Sequence, residues 1–361
     1  MAGIFQCSCI KPDEWVKGKV VGLGSFGTVY LAMNKATGAL FVVKSAESGA
    51  GLEALENESN ILESLDSPYI VRCLGRDSSK GSNGEQKLNI FMEYMAGGSL
   101  SDVAEKFGGA LDEEVIRVYA REMLNGLKYL HEKGIVHCDI KCKNVLLGSS
   151  GNVKLADFGC AKRLTDLKNN GNAAHSWQSI GGTPLWMAPE VLRNERLDFA
   201  ADIWSLGCTV VELATGRAPW GSEVSNQMAA VLKIACSNET PPFPTHFSKE
   251  GVDFLARCLE RNPDKRWTSE DLLKHPFISG RLVRNSCKEC MCSPASTLDV
   301  GINEEDSDSD SVESEGPYEG DYPSRNPFSS RHSIERKRKV RRQESENHIW
   351  SSGDWITVRS G

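Results

Sequence analysis

The sequence predicts an α+β fold in which a β-rich first part precedes a mostly helical second part and a polar tail. Three observations lead to this prediction. Runs of β-branched and aromatic residues dominate as far as Leu100, helical periodicity dominates from Leu111, and apolar periodicity stops after about Ile278. Hydrophobic residues make up 40% of the 361 positions, which is enough to bury a core.

The first part contains five candidate strands, which clusters of Gly, Ser and Asn separate. Their sequences are KVVGLGSF, TVYLAM, LFVVKSA, YIVRCLG and LNIFMEY, and they begin at Lys19, Thr28, Leu40, Tyr69 and Leu88. One helix is predicted between the third and fourth runs, over residues 53 to 65, because its apolar residues recur every three or four positions. These apolar residues are Leu52, Leu55, Ile61, Leu62 and Leu65.

The second part opens with a helical pattern, LDEEVIRVYAREMLNGLKYLHEKG, from Leu111 to Gly134. Glu113 and Glu114 suit the first turn of a helix, and Gly134 suits its C-terminal cap. The sequence therefore predicts a long helix at the start of the α-rich part.

Residues 279–361 contain too few aliphatic side chains to offset the entropy of ordering, so we predict that they are mainly disordered. Within them, residues 304–321 carry nine acidic residues and no basic one, whereas residues 336–342 are all basic except for Val340. The simplest interpretation is that both blocks are solvated. The basic block fits a nuclear import signal about as well as a docking contact or an intramolecular contact with the acidic block.

Composition also limits location and partners. A formal net charge of −7 gives no general attraction to nucleic acid, and no stretch approaches the ~18 apolar residues of a membrane span. The N-terminus has no secretory signal, so we expect a cytoplasmic protein with reduced thiols, and the basic block adds a nuclear location as an alternative. Cys287, Cys290 and Cys292 come near metal-ligand spacing, but no second cysteine pair or histidine cluster follows, so no structural zinc is expected.

A glycine-rich segment is the first sign of a phosphate site. Gly22, Gly24 and Gly27 are followed by Val29, and glycines let backbone amides approach phosphate oxygens closely. A dinucleotide-binding loop has the same spacing but enters a helix, whereas TVYLAM after Gly27 is typical of a strand. Taken alone, the segment fits a glycine-rich hairpin turn equally well.

Lys44 ends the apolar run LFVVK, so we predict that its ammonium emerges from a strand beside the glycine loop and reaches the α- and β-phosphates. Glu58 borders the packed face of the predicted helix and is the expected partner of Lys44. The other acidic residues of this helix are expected to face solvent: Glu53, Glu56 and Glu63.

Two polar segments supply candidate catalytic groups. In IVHCDIKCKNVLL, Asp139 can accept or orient a hydroxyl proton, Lys141 can neutralise a transferring phosphoryl group, and Asn144 can hold a metal ion. Asp157, followed by Phe158 and Gly159, ends the run VKLA and can bind Mg²⁺ against the phosphates.

The order of these segments resembles the eukaryotic protein kinases, with Ala188, Pro189 and Glu190 completing the signature. The resemblance covers about Trp15 to Ile278 and implies a bilobal protein kinase fold that uses ATP and Mg²⁺. It divides the chain into an N-terminal extension (1–14), a kinase domain (15–278) and the tail (279–361). It also implies that Asp202 is a buried anchor and that Arg266 pairs with Glu190.

The resemblance further implies an ATP site. Met92 would be the gatekeeper, Glu93 and Met95 would present hinge backbone groups to adenine, and Val29, Val42 and Leu146 would enclose the ring. The implied cofactor-binding set is Val21, Gly22, Gly24, Gly27, Val29, Val42, Lys44, Glu58, Met92, Glu93, Met95 and Leu146. Val42 replaces the usual Ala, a narrowing that ATP tolerates.

Lys141 and Thr183 resemble the pattern of serine/threonine kinases. GTPLWMAPEV resembles the MEKK-like MAP kinase kinase kinases, and VGLGSFGTVYLA with HCDIKCKNVLL resembles their compact plant branch, which acts in stress and hormone signalling. The implied partners are MAP kinase kinases as substrates, and the catalytic domain is expected to be monomeric. Raf-like kinases share much of the GT-x-x-W-MAPE string.

Cys138 departs from the family, which usually has Arg before the catalytic Asp to pair with a phosphorylated activation loop. We therefore hypothesise that activity depends less than usual on loop phosphorylation. The candidate phosphosites are Ser176, Ser179 and Thr183.

Two other functions would fit part of this pattern. A pseudokinase scaffold would keep the fold and bind partners without phosphotransfer, but every catalytic residue type is present. A Rossmann-type dehydrogenase would need alternating β-α units, which the β-then-α order contradicts.

Overall fold

The structure is a computed structural model that describes residues 14–24, 26–47, 49–80, 86–169, 181–221 and 226–280. Predictions for the first thirteen residues and for those beyond residue 280 lie outside this part of the chain, including both charge blocks and the Cys287, Cys290 and Cys292 group.

The first lobe is a five-stranded antiparallel sheet with the order β1-β2-β3-β5-β4 and one helix. Its elements are β1 Trp15–Gly24, β2 Gly27–Asn34, β3 Leu40–Ala46, α1 Gly49–Leu62, β4 Cys73–Lys80 and β5 Gln86–Glu93. On one face, Trp15, Phe41 and Phe91 pack edge to face with ring centroids about 6 Å apart. The three aromatic rings cover this face of the sheet. The opposite face is therefore the one that can take part in a site.

The predicted helix exists, with different limits. It begins at Gly49 and ends at Leu62, instead of covering residues 53 to 65. After Leu62 the chain makes tighter bonds, such as Leu65 N–H to Leu62 O at 3.0 Å, which end the α-helical ladder. Leu55, Ile61 and Leu62 are buried, whereas the acidic residues expected to face solvent are exposed: Glu53, Glu56 and Glu63.

The prediction for the fourth strand was partly wrong. The strand begins at Cys73 and runs to Lys80, whereas the sequence suggested a strand over the run that begins at Tyr69. The first residues of that run pair elsewhere: Leu155 N–H donates to Tyr69 O at 2.8 Å, and Val71 N–H donates to Leu155 O at 3.0 Å. The apolar run therefore joins the two lobes, and only its last residues enter the sheet.

The second lobe is mostly helical, as predicted. Its helices are α2 Leu100–Lys106, α3 Glu113–Glu132, α4 Leu164–Asn169, α5 Pro189–Leu192, α6 Phe199–Thr215, α7 Gln227–Cys236, α8 Lys249–Cys258, α9 Ser269–Leu273 and α10 Pro276–Ser279. The short strands are β6 Gly98–Ser99, β7 Ile135–Val136, β8 Val145–Leu147, β9 Val153–Leu155 and β10 Lys162–Arg163. They form a three-stranded sheet, β6-β8-β9, and a pair, β7 with β10.

Helix α6 is the central helix of this lobe. Asp198 caps its start by accepting from Ala200 N–H, and Gly216 ends it in the left-handed conformation at φ 66°. Nearly every residue from Ala201 to Ala214 is buried, so the helix is surrounded by protein on all sides. The other elements of the lobe are therefore positioned against it.

A buried ion pair ties the end of the lobe to α5. Arg266 Nη1 lies 2.7 Å from Glu190 Oε1, and its Nη2 lies 3.1 Å from Oε2. Arg266 Nη1 also donates to Ala200 O at 2.7 Å. The pairing expected from the sequence is present.

Within the described part of the chain, no helix has both the length and the apolar character needed to cross a bilayer.

Candidate active site

The site begins with a buried cation between two carboxylates. In β3, Lys44 shares its face of the strand with Val42 and Ala46, away from the aromatic cluster. Its Nζ lies 2.6 Å from Glu58 Oε2 on α1 and 2.8 Å from Asp157 Oδ1, which follows β9. The predicted pairing of Lys44 with Glu58 is therefore present, and Asp157 joins it.

Burial and charge compete at this trio. Burial by itself would lower the pKa of Lys44, but the nearby carboxylates of Asp157 and Glu58 outweigh it and raise that pKa above its usual range. Burial raises the pKa of Glu58, which its pairing with Lys44 only partly offsets. For Asp157, burial is outweighed by Lys44, which lowers the pKa of its carboxyl group. The lysine is thus protonated and Asp157 ionised at neutral pH.

Asp157 has a strained backbone, with a φ of 65° that residues with a Cβ rarely adopt. The residue after it, Phe158, is fully buried and its ring lies 4.7 Å from that of His137. The Phe158 N–H donates to Glu58 Oε1 at 3.3 Å, and the His137 ring lies 3.1 Å from Ala156 O through Nε2. These contacts fix the backbone on both sides of Asp157.

The candidate catalytic residues meet at Asp139. Asn144 Nδ2 donates to Asp139 Oδ2 at 2.8 Å, and Lys141 Nζ lies 2.9 Å from the same oxygen. The Thr183 hydroxyl donates to Asp139 Oδ1 at 2.7 Å and accepts from Lys141 Nζ at 2.6 Å. Thr183 therefore joins the segment before α5 to the catalytic loop.

Helix α6 holds the start of this loop through Asp202. Its carboxylate accepts from His137 N–H at 2.9 Å and from Cys138 N–H at 3.0 Å, and the His131 ring lies 3.0 Å away. Asp202 is the buried anchor that the resemblance implied. Its two bonds stabilise the turn at Cys138, whose φ of 67° is unfavourable for a residue with a side chain.

Mg²⁺ and ATP fit the residues present. Asp157 offers a carboxylate that is one-third exposed. Asn144 donates from its amide nitrogen to Asp139, so its amide oxygen is the atom that can ligate a cation. Within the described residues, no three His, Cys, Asp or Glu side chains cluster as a metal cage. The Asp157 carboxylate and the Asn144 amide oxygen suit Mg²⁺, which takes one or two protein oxygens together with phosphates.

The glycine loop is a β-hairpin in which Gly22 lies opposite Val29 and Gly24 opposite Gly27. It therefore does not enter a helix, which agrees with the expectation from TVYLAM. Gly27 needs its lack of Cβ, since its φ is 143° and a Cβ would collide with Ser45 O. Val21 is exposed.

The other residues of the implied ATP site line the inner face and the connection between lobes. Met92 is buried and pairs with Val42 across β3 and β5. Three residues are half-buried: Val29, Val42 and Leu146. Glu93 N–H donates to Arg72 O at 3.1 Å, so its carbonyl is the hinge group that can accept from adenine, and Met95 is buried just beyond it.

Sequence reasoning missed three residues at this site. Asn57 donates to backbone carbonyls that follow Asp157. Glu212 accepts from Trp186 Nε1 at 3.0 Å and from Cys142 N–H at 3.2 Å. Phe26 lies against Gly159. Burial raises the pKa of Glu212. The glycine-rich context of Phe26 was the only signal of the three, because the partners of Asn57 and Glu212 lie 26 to 104 positions away in sequence.

Thr183 is a candidate phosphosite by sequence, and in the structure its hydroxyl bridges Lys141 and Asp139. A phosphate on that oxygen would lie beside the Asp139 carboxylate, so the contact favours a positioning role. Ser176 and Ser179 lie outside the described residues.

Comparison with known proteins agrees with this geometry. The family profile described as a protein kinase domain matches residues 15–278. The chain belongs to the protein kinase family. Among curated relatives from Arabidopsis thaliana, mitogen-activated protein kinase kinase kinase 3 is 44% identical over 293 residues, which are 77% of this chain and 43% of the relative. Mitogen-activated protein kinase kinase kinase 17 is 41% identical over 268 residues, which are 74% of this chain and 70% of the relative.

The length of the matching kinases varies. The chain covers 44% of mitogen-activated protein kinase kinase kinase 2 from the same plant, at 41% identity over 299 residues. It thus spans less than half the length of some of these relatives, and 70% of mitogen-activated protein kinase kinase kinase 17. The chain resembles the plant MEKK-like MAP kinase kinase kinases, as the sequence motifs indicated.

Proposed function

We propose that the protein is a serine/threonine protein kinase that transfers the γ-phosphate of ATP to protein substrates. One observation carries this proposal: the same structure contains two bonded groups of side chains. The first is the trio of Lys44, Glu58 and Asp157, and the second is the cluster of Asp139, Lys141 and Thr183. The first group suits binding of the nucleotide phosphates, and the second suits activation of an acceptor hydroxyl.

The proposed reaction is an in-line displacement. The acceptor hydroxyl oxygen forms a bond to the γ-phosphorus while the bond from that phosphorus to the bridging oxygen breaks and ADP leaves. Asp139 orients the hydroxyl and accepts its proton, and Lys141 stabilises the charge on the transferring phosphoryl group. Lys44 holds the α- and β-phosphates. Mg²⁺ bound by Asp157 and Asn144 would neutralise charge on the phosphate oxygens.

We further propose that the substrates are MAP kinase kinases. The support comes from the names of the relatives, from the GTPLWMAPEV string and from identities of 41 to 44% over 268 to 299 residues. A pseudokinase scaffold has no observation in its favour, because each catalytic residue type occupies a bonded position in the cleft.

Phosphate transfer from labelled ATP to a panel of kinase-dead MAP kinase kinases tests the proposal. The wild type should phosphorylate at least one of them on Ser or Thr, and Lys44→Met should reduce the rate at least about a hundredfold, because the phosphates lose their cationic contact. Equal rates for the wild type and Lys44→Met would refute the assignment as an enzyme. Transfer to a generic protein but to no MAP kinase kinase would overturn only the substrate class.

A further inference from the structure

Two consecutive residues of α1 bind the backbone on either side of Phe158. Glu58 Oε1 accepts from Phe158 N–H at 3.3 Å. Asn57 Nδ2 lies 3.3 Å from Phe158 O, 3.2 Å from Gly159 O and 3.0 Å from Ala161 O. The helix that carries the partner of Lys44 is thus bonded directly to the segment that follows the metal ligand Asp157.

The orientation of the Asn57 amide follows from its partners. All three are carbonyl oxygens, which only accept hydrogen bonds, so the side-chain nitrogen and not the oxygen must face them. An Asp of the same shape at this position would instead turn an oxygen toward the carbonyls. The site therefore distinguishes between two side chains that differ by one donor group.

The segment that Asn57 binds contains strain. Asp157 has a φ of 65°, and a residue in this region stays there only when its surroundings fix it. Lys44 acts on the Asp157 side chain, whereas Asn57 and Glu58 act on the backbone that follows. Ala161 N–H also donates to Phe158 O at 3.0 Å, so one carbonyl belongs to both the turn and the Asn57 contact.

From these contacts we propose that Asn57 is a positioning residue for phosphotransfer. Asn57 ties the backbone from Phe158 to Ala161 to helix α1. This contact keeps the Asp157 carboxylate directed at Lys44 and at the proposed metal position. Its bonds go to backbone carbonyls and involve no phosphate group. The role in phosphotransfer rests on the proposed kinase function, and the structural part does not.

The experiment compares Asn57→Asp and Asn57→Ala with Asn60→Asp in the full chain. Asn60 lies one turn further along the same helix, is exposed, and accepts from Arg76 through Oδ1 at 3.0 Å. Its substitution by Asp keeps that acceptor and adds the same charge to the same helix. It is therefore a matched control for charge and helix propensity.

The first readout needs neither nucleotide nor metal. Deuterium uptake is measured for peptides that cover residues 157–163 in nucleotide-free protein. Uptake should rise in both Asn57 variants, because the backbone carbonyls of residues 158, 159 and 161 lose the side-chain amide that binds them. Uptake in Asn60→Asp should match that of the wild type. Unchanged uptake in both Asn57 variants would overturn the proposal, whatever their activity.

The second readout is the Mg²⁺ concentration that gives half-maximal phosphotransfer at saturating ATP. A displaced Asp157 should raise this concentration several-fold in Asn57→Asp and lower kcat about tenfold. A smaller folded fraction would lower kcat alone, so an unchanged Mg²⁺ requirement would reduce Asn57 to a purely structural residue and refute its positioning role. If Asn57→Asp does not fold, Asn57→Ala decides by the same criteria. If the wild type transfers no phosphate, the proposed function fails while the exchange result still stands.

Discussion

At the scale of single residues, Thr183 joins the activation segment to the carboxylate of Asp139, the proposed catalytic residue. Its hydroxyl uses both of its hydrogen-bonding capacities, one toward Lys141 and one toward Asp139. Lys141 and Asp139 are also in direct contact at 2.9 Å, so the three side chains form a closed triangle. Loss of one corner should displace the other two without unfolding the lobe.

Thr183→Val keeps the shape of the side chain and removes the hydroxyl. We expect kcat to fall about ten- to a hundredfold with little change in the KM for ATP, because the bonds affected lie at Asp139 and away from the phosphates. Thr183→Ser, which keeps the hydroxyl, should retain most of the activity. Steady-state kinetics with both variants checks this, and a Val variant as active as the Ser variant would contradict it.

Cys138 is the second residue with a consequence of its own. It is buried, and its backbone N–H donates to Asp202. Its thiol replaces the Arg guanidinium that in most protein kinases pairs with a phosphorylated activation loop. We expect the Ser176→Ala/Ser179→Ala double variant and phosphatase-treated wild type to retain most of their phosphotransfer rate. An almost complete loss of activity in both samples would show that loop phosphorylation is required.

At the scale of elements, the site depends on how α1 packs against β3. Lys44 and Glu58 lie fourteen positions apart and meet only because both elements face the same cleft. Glu58→Gln should keep the helix, weaken its hold on Lys44, and lower kcat/KM for ATP by about tenfold or more. Circular dichroism identifies any loss of helix, and a kcat/KM equal to that of the wild type would exclude the ion pair from a role.

The same trio predicts how ATP binding depends on pH. Because the pKa of Lys44 is raised, the ammonium stays protonated even where an ordinary lysine begins to lose its proton. Because the pKa of Asp157 is lowered, its carboxylate stays ionised at any pH above the ordinary range of Asp. The KM for ATP at saturating Mg²⁺ should therefore be flat from about pH 7 to about pH 9. A rise with a midpoint inside that window would contradict these assignments.

At the scale of the whole molecule, the pair of Arg266 and Glu190 joins the last helices to the segment that follows the activation loop. Both side chains are almost fully buried. Removing one partner leaves an uncompensated buried charge, so Arg266→Ala should lower the free energy of unfolding by about 3–5 kcal/mol. The Arg266→Met/Glu190→Gln double variant should recover part of that loss. Urea denaturation measures both, and a loss under about 1 kcal/mol for Arg266→Ala would refute the prediction.

The tail leads to a proposal about location. We propose that the protein is mainly cytoplasmic and that the basic block at 336–342 acts as a nuclear import signal. A fluorescent fusion with the six basic residues of this block changed to Ala should lose any nuclear fraction and keep its kinase activity. An unchanged distribution would favour the docking or intramolecular alternatives.

The sequence by itself determined the fold class, the order of the elements, and the chemical types at the site. Glycine spacing, the apolar run before Lys44 and the polar residues of the catalytic loop are local patterns, and local patterns are visible in one dimension. The same holds for the exposed faces of α1, because helical periodicity assigns each position to a side.

Two pairings, Lys44 with Glu58 and Arg266 with Glu190, were expected from the sequence and its family resemblance, whereas only the tertiary structure decided which other groups touch. The contacts of Asn57 span about a hundred positions, and those of Thr183 join it to Asp139 across 44. The left-handed backbone at Cys138 is held by Asp202 of α6, that at Asp157 is followed by residues bonded to α1, and residues 69–71 pair with β9. Periodicity carries no information about such long-range packing, so these contacts and the positions they impose on the reacting groups had to come from the fold.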